Sequence, residues 1–429
     1  MQILTYDRIK SLGGGVMYPI VKYPSFIESN LLRFEHIFNK CQKRHFAEYL
    51  TGLLVSKKKN ISSMNSQFIN HTNQSSKNHF LTDANWDNKQ LTNERIAIVK
   101  EQCGKQHIKD GFLVIDDSIT HRTGKHIESI DWFWDHSKNA YTLGHQLVTS
   151  QYVTPKFHIP LHFRQYHKED EVGKEQFKSK LDLAIELIQE ALDCGINFSC
   201  VLGDSWYFCQ RIINYLEQIG KYWLFASKSN RKVIFNNRLM QLKDVVKELK
   251  KENFKLITVQ QPSGKTLTVY AYSKTVRMHN VGRVKIVISF LDKPFSGNPF
   301  FLATNRKEWT LDTILSNYAK RWPIETFYRD AKQNLGLESC EMRRLKGIRR
   351  HWNLVFLAYT LLQFEAGSSS LTKWIKSNVV TIGGKCRIAS CEVVRSFLFW
   401  AYEYFEKNED PEYLFKEIVK NDHQLKIVF

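Results

Sequence analysis

No stretch of eighteen or more uncharged apolar residues occurs in the 429-residue chain, so no membrane-spanning helix is expected. The opening Met-Gln-Ile-Leu-Thr-Tyr-Asp-Arg-Ile-Lys has no apolar run of a secretion signal. None of the eight cysteines (41, 103, 194, 200, 209, 340, 386 and 391) forms a Cys-x-x-Cys with a matching second pair, which argues against a zinc ribbon. The expected state is reduced thiols in a cytoplasmic protein. Gly13-Gly14-Gly15 has no Gly-Lys-Ser/Thr behind it, so a phosphate loop is excluded. Ser118 and Ser205 lack a Gly-x-Ser-x-Gly setting, which argues against a serine hydrolase. His158, His162 and His167 have no nearby cysteine to complete a ligand set and read as surface or sheet histidines. There is no internal repeat.

Acidic residues are in deficit. Lys plus Arg number 62 against 43 Asp plus Glu, a net charge of +19. With 43% hydrophobic and 24% charged residues, the composition is that of a globular protein of several domains. The charge favours a polyanionic partner. Basic groups cluster at Lys57–Lys59, at Lys228, Arg231 and Lys232, and at Arg343, Arg344, Lys346, Arg349 and Arg350, where they would neutralise phosphates. Trp206, Trp322 and Trp352 read as core residues rather than base-stacking ones.

Residues 1–108 read as helical, from the three- and four-residue spacing of Phe34, Ile37, Phe38, Phe46, Tyr49, Leu50, Leu53 and Leu54. An Asn- and Ser-rich loop is expected over 60–79, and a second helix over 93–106. Phe112–Ile115 is an apolar run ending in Asp116-Asp117-Ser118 and reads as a buried strand. Strand-like runs follow over 143–153 and 156–164, then a helix over 173–194. Phe198–Leu202 is another buried strand, closed by Gly203-Asp204, with a helix expected from about Ser205. Residues 229–304 form a β-rich segment with strands over 256–259, 266–272, 283–291 and 300–303, a turn at Pro262–Lys265 and a charged helix near 242–251. Beyond Leu311 the pattern is helical.

Asp116 and Asp204 each end a buried strand. Burying carboxylates is costly unless they are paired or hold a metal, and oxygen-only ligands suit Mg²⁺. Either aspartate alone is as well explained as a helix cap. A denser signal is Tyr318-x2-Arg321-x3-Glu325-x6-Lys332. On one continuous helix these four would stand at about 0°, 300°, 340° and 320°, a stripe able to complete a metal site and grip phosphates. Pro323 lies inside it and would suit the first turn of a new helix.

This spacing, with Trp322, Phe327 and Gly336-Leu-Glu338 around it, resembles the signature of DDE transposases of bacterial insertion sequences, in the insertion-sequence-four superfamily. Asp116-Asp117-Ser118 resembles that family's first motif, and Val201-Leu202-Gly203-Asp204-Ser205 its second. Lys125 and Gly144-His145-Gln146-Leu147-Val148 fall where the family has them, and the resemblance runs over about residues 85–365. It implies an α/β fold with a ribonuclease H-like core and a β-rich insertion, flanked by helical regions. The implied division is a helical DNA-binding region over 1–108, core over 109–228, insertion over 229–304, core with the signature helix over 305–365, and a C-terminal helical region over 366–429. It implies two Mg²⁺ ions, replaceable by Mn²⁺, held by Asp116, Asp204 and Glu325, with Asp116 rather than Asp117 leaving an Asp-x-Ser pattern. Tyr318, Arg321 and Lys332 would contact phosphates, joined by the basic Arg343 and Arg344. The implied activity is cutting of transposon ends and their joining to target DNA, by a homodimer in a DNA synapse, in a cytoplasmic, nucleoid-associated bacterial protein. A DNA-binding relative without catalysis is the alternative.

Overall fold

A computed structural model describes residues 19–260, 264, 266–365, 381–407 and 410–412. Gly13–Gly15 and most of the Pro262–Lys265 turn lie outside the described residues. In chain order the helices are α1 Ser25–Asn30, α2 Lys40–Val55, α3 Ile61–Ser66, α4 Gln74–Thr82, α5 Asn88–Lys105, α6 Glu169–Val172, α7 Lys180–Asp193, α8 Gln210–Gln218, α9 Leu242–Lys247, α10 Leu311–Ala319, α11 Pro323–Asn334, α12 Leu345–Phe364 and α13 Ile382–Glu406. The strands are β1 Phe112–His121, β2 Asp131–Asp135, β3 Ala140–Val153, β4 His158–Tyr166, β5 Cys200–Gly203, β6 Tyr222–Ala226, β7 Lys232–Phe235, β8 Arg238–Gln241, β9 Lys255–Gln260, β10 Thr266–Met278, β11 Gly282–Phe290 and β12 Phe300–Thr304. They divide between two compact units. The first takes in the described residues up to Arg95, His126–Glu128 and those from Asp330; the second is Ile96–Lys125 with Ser129–Arg329.

The first unit is helical. Asparagine side chains start its helices: Asn39 closes a capping box with Gln42, Asn60 accepts from the Ser63 N–H and Asn73 from the Ser75 N–H. The loop expected over 60–79 is therefore corrected. Its Asn and Ser residues cap and populate α3 and α4, because a short polar side chain satisfies the free N–H groups of a first turn. Helix α12 is buried on nearly every side and packs against α2, α4 and α13. Arg350 of α12 is 3% exposed. Its guanidinium stacks 4.1 Å from Trp86 and donates to the carbonyls of Phe80, Leu81, Ala84 and Trp86. It fixes the end of α4 rather than facing solvent.

Glu48 is 2% exposed. It receives Arg44 Nε at 2.8 Å and Lys77 Nζ at 3.0 Å. Burial alone would raise its pKa, but His45, Lys77 and Arg44 together bring it down to about 2.

The second unit is built on a 12-stranded sheet in the order β2-β3-β1-β5-β6-β12-β11-β10-β7-β8, with β4 beside β3 and β9 beside β10. Strands β1, β3 and β4 form an antiparallel meander, while β1, β5 and β6 are parallel. Through β12 and β6, antiparallel strands β7–β12 continue the same sheet. The chain is thus mixed α/β with a large open sheet. Leu113, Val114, Ile115, Val201 and Leu202 are all 0–1% exposed, as expected of central strands covered on both faces. Helix α7 covers β3 and β4 with Leu183, Ala184, Leu187, Ile188 and Ala191. It begins at Lys180 rather than 173 because Ser179 and Asp182 form a capping box there. Strands β2, β6, β7 and β8 had no counterpart among the strands expected from the sequence. The helix expected from Ser205 begins at Gln210, after a turn.

Two outcomes are expected. Arg350→Ala should lower stability by about 3 kcal/mol, since four carbonyls lose one charged donor; Arg350→Lys should restore little, because a point charge cannot span them. The urea midpoint reads both. Glu48 has its folded pKa depressed from 4.5 to about 2, so its contribution is full above about pH 4.5 and is lost as pH falls toward 2. Melting temperature across that window should fall less steeply for Glu48→Gln, which should also melt lower at neutral pH because Lys77 is left unpaired.

Candidate active site

The parallel register pairs Ile115 with Gly203, so Asp116 and Asp204 follow at the same level; Asp204 lies just past the end of β5, but Asp116, expected to end its strand, stands in the middle of β1, which stays paired with β3 as far as His121. Gly203 is required for this. A Cβ there would lie 2.7 Å from Cε1 of Phe225, which no side chain tolerates in a packed interior.

Asp116 and Asp117 have different surroundings, as alternation along β1 demands. Asp117 accepts Gln146 Nε2 at 2.6 Å, Lys180 Nζ at 3.0 Å and the Tyr207 hydroxyl at 2.8 Å. Asp116 accepts Arg321 Nη1 at 3.2 Å, and its Oδ1 takes the Asp117 N–H at 2.9 Å. Burial pushes Asp116 up to about 7, against the pull of Arg321 and helped by the negative Asp117 and Asp204. Asp204 is also raised, by burial first. Its Oδ1 accepts the Trp206 N–H at 2.9 Å.

The stripe expected on one helix is divided between two. Helix α10 ends at Ala319 and α11 starts at Pro323. The residue before proline is excluded from helical backbone, and proline suits a first helical position. Tyr318 therefore lies in the last turn of α10, Arg321 in the break, and Glu325 in the first turn of α11. The break lets the guanidinium reach both ways. Arg321 Nη2 donates to Glu325 while Nη1 holds Asp116, and the group is only 14% exposed. The Tyr318 ring lies 5.8 Å from it, with the hydroxyl pushed up to about 12 by burial. Asp116, Arg321, Glu325 and Tyr318 thus share one place. Lys332, further along α11, falls in the first unit and pairs with Glu338 at 2.9 Å.

Other expectations are corrected. Trp206 and Trp322 are 55% and 51% exposed, whereas Trp352 is fully buried. Of the basic clusters, Lys57 and Lys58 are exposed but Lys59 is buried, and Arg350 is the clamp described above. Arg343 and Arg344 are exposed, with Arg344 paired to Asp83 at 2.9 Å. Lys180, Tyr207 and Tyr328 were not singled out by the sequence reading. Tyr328 donates to the Asp116 carbonyl at 3.2 Å; its signal was its position three residues after Glu325 on α11.

Among the described residues, no three His, Cys, Asp or Glu side chains are arranged to hold a metal ion as they stand. The donor chemistry of Asp116, Asp204 and Glu325 nevertheless fits a hard divalent cation, and the repulsion that adds to burial in raising Asp116 is what such a charge would relieve. In the structure, the positive charge lying across two of these acids is the guanidinium of Arg321.

A sequence family described as DDE superfamily endonuclease matches residues 33–244, a stretch holding Asp116 and Asp204 and ending before Glu325. A protein of Microchaete diplosiphon, described as a probable transposase for insertion sequence element IS701, is 22% identical over 219 residues, covering 50% of this chain and 56% of that protein. The chain is thus similar, over about half of its length, to DDE endonucleases and to that transposase. The resemblance drawn from the motifs, to DDE transposases of insertion sequences, is shown by both matches. The chain spans just over half the length of that relative. Among the described residues, no helix is long and apolar enough to cross a membrane.

If Arg321 neutralises these acids, Arg321→Ala should lower the melting temperature by several degrees in EDTA. Millimolar Mn²⁺ should then raise it more in the variant than in the wild type, read by calorimetry. Equal Mn²⁺ shifts in the two proteins would count against the assignment.

Proposed function

We propose that this protein is an active DDE transposase, which cuts the ends of a transposon and joins them to target DNA. The observation that carries the reading is the meeting of Asp116 and Glu325 on Arg321, with Asp204 at the neighbouring strand end. The strand order supports a ribonuclease H-like core: an antiparallel meander, then two strands parallel to its first. In this reading β7–β12 are the β-rich insertion between Asp204 and Glu325.

Asp116, Asp204 and Glu325 are the residues that would hold two Mg²⁺ ions, with Mn²⁺ as substitute. Bound there, such ions stabilise the attacking and leaving oxygens of phosphodiester cleavage and transfer. Asp117 is assigned a positioning role, since Gln146, Lys180 and Tyr207 already fill its acceptor sites. Arg321 neutralises the acids in the free protein. With divalent cations held by the three acids, its guanidinium would be free to bind a phosphate oxygen, beside the Tyr318 hydroxyl. Lys332, Arg343 and Arg344 add contacts to double-stranded DNA, for transposon end and target alike. Pairing of two ends calls for a homodimer in a synapse, in a bacterial protein working at the nucleoid.

The second reading, a DNA-binding relative without catalysis, is favoured by one observation: Arg321 occupies the carboxylates in the structure. Incubation with linear transposon-end DNA and Mg²⁺ separates the two. Wild type is expected to nick at the end and yield joined products. Glu325→Gln should lose at least about a thousandfold in cutting, comparable to removal of one strong electrostatic contributor elsewhere, while still shifting end DNA in a gel. Normal cutting by Glu325→Gln, or shifts without nicks by wild type, would reject the enzyme assignment.

A further inference from the structure

We propose that Tyr207 and Tyr328 are positioning residues, which set the spacing of Asp204 and Glu325 from Asp116 by bracing both to β1. The inference rests on the proposed function for what the three acids hold.

The two tyrosines occupy matching places. Each stands three residues after one of the outlying acids: Tyr207 after Asp204 in the turn that follows β5, and Tyr328 after Glu325 on α11. Both are buried, at 1% and 8% exposed. Both send the hydroxyl to β1. Tyr207 donates to Asp117 Oδ1 at 2.8 Å, and Tyr328 donates to the Asp116 carbonyl at 3.2 Å.

Strand pairing does not fix the outlying acids to β1. The β1–β5 ladder stops at Gly203, one residue short of Asp204, and Glu325 lies on a helix. Within the turn, Asp204 Oδ1 accepts the Trp206 N–H at 2.9 Å and the Tyr207 N–H at 3.4 Å. That carboxylate is therefore tied to its own loop, and the Tyr207 hydroxyl ties the loop to β1. On α11, residues three apart share a face, so the contact of Tyr328 with Asp116 holds the turn that carries Glu325 against the same strand. Arg321 also joins Asp116 to Glu325, but it does so through the carboxylate oxygens that cations would need. The phenols spare those oxygens, since one uses Asp117 and the other a backbone carbonyl. Burial and the neighbouring acids raise both hydroxyls well above the usual tyrosine range, so at neutral pH both stay protonated and can donate.

The test uses the full chain without DNA and the variants Tyr207→Phe and Tyr328→Phe, which remove the hydroxyl and keep the ring. The probe is Mn²⁺ alone, titrated while the free ion is followed by electron paramagnetic resonance. Each variant is expected to bind Mn²⁺ about tenfold or more weakly, as loss of a partner behind the ligands does elsewhere. Melting in EDTA should fall by only a few degrees. Hydrogen exchange in EDTA is the second measurement. It should quicken about fivefold at the turn after β5 in Tyr207→Phe alone, and around Glu325 in Tyr328→Phe alone. In the cutting assay, turnover should fall in both variants and recover as Mn²⁺ is raised, with end binding unchanged. Wild-type Mn²⁺ affinity in either variant overturns that tyrosine's brace, even where exchange quickens, because the hydroxyl then serves the fold and not the acids. The two readings fail separately. A wild type that binds Mn²⁺ and cuts while both variants match it sinks only the braces. A wild type that binds no Mn²⁺ sinks the metal site, and the braces then stand on localised exchange and fall without it.

Discussion

The second unit is organised around a problem of like charge. Two carboxylates, one midway along β1 and one just past the end of β5, stand at the same level on adjacent parallel strands, beneath enough protein that water screens them poorly. Isolated buried charges cost several kcal/mol each unless something compensates. One guanidinium does so here, planar and forked, reaching Asp116 with one nitrogen and Glu325 with another. Other features of the region set up that contact. Gly203 lets β5 approach β6 closely enough to bring Asp204 level with Asp116. The interruption before Pro323 takes Arg321 out of the helix, so that its side chain spans the gap between β1 and α11. On an unbroken helix Arg321 and Glu325 would be neighbours one turn apart, with no such freedom to reach across.

The same strand shows how environment divides two identical side chains. Asp117 is saturated by an amide, an ammonium and a phenol. Asp116 accepts one side-chain donor, Arg321, and shares it with another acid. Three side-chain donors hold the carboxylate of Asp117, whereas that of Asp116 rests on a single guanidinium. That contrast separates the two aspartates on physical grounds, where the sequence offered only an Asp-x-Ser spacing.

Much of this was legible before any coordinates. Apolar runs that end in Asp are readable because a doubly covered strand needs continuous hydrophobicity; β1 and β5 followed from such runs, and β3, β4 and β9–β12 from other strand-like runs. The signature spacing found Tyr318, Arg321 and Glu325 by residue type, but its geometry was read on a helix that the chain does not form there. Pro323 carried the correcting signal. The Asn- and Ser-rich stretch was misread because capping residues and loop residues are the same residue types, and only the register of the following N–H groups separates them. Strand β2 escaped notice because Trp132 and Trp134 project outward around a buried Phe133, an aromatic pattern in place of the usual polar alternation. Trp206 was assigned to the core on size alone. In the turn after β5 it is Tyr207 that is buried, donating to Asp117, a contact between residues 90 positions apart, while Trp206 is exposed.

Net charge is the least local of these signals and needs the most correction. The excess of +19 counts every cation alike. Yet Arg350 spends its charge on four carbonyls, Lys77 on Glu48, and Arg321 on two acids. Lys59 is buried, and burial lowers its pKa to about 8. None of these can neutralise a phosphate without first leaving a partner or an interior. For most of them leaving would unfold local structure, because the partner is backbone or a buried ion. Arg321 differs. Its partners are acids whose chemistry suits a divalent cation, so its departure can be offset in place by a charge of the same sign. Among these buried cations it is the one whose release leaves the fold compensated, which is why a phosphate-binding role is compatible with its burial and would not be for Arg350.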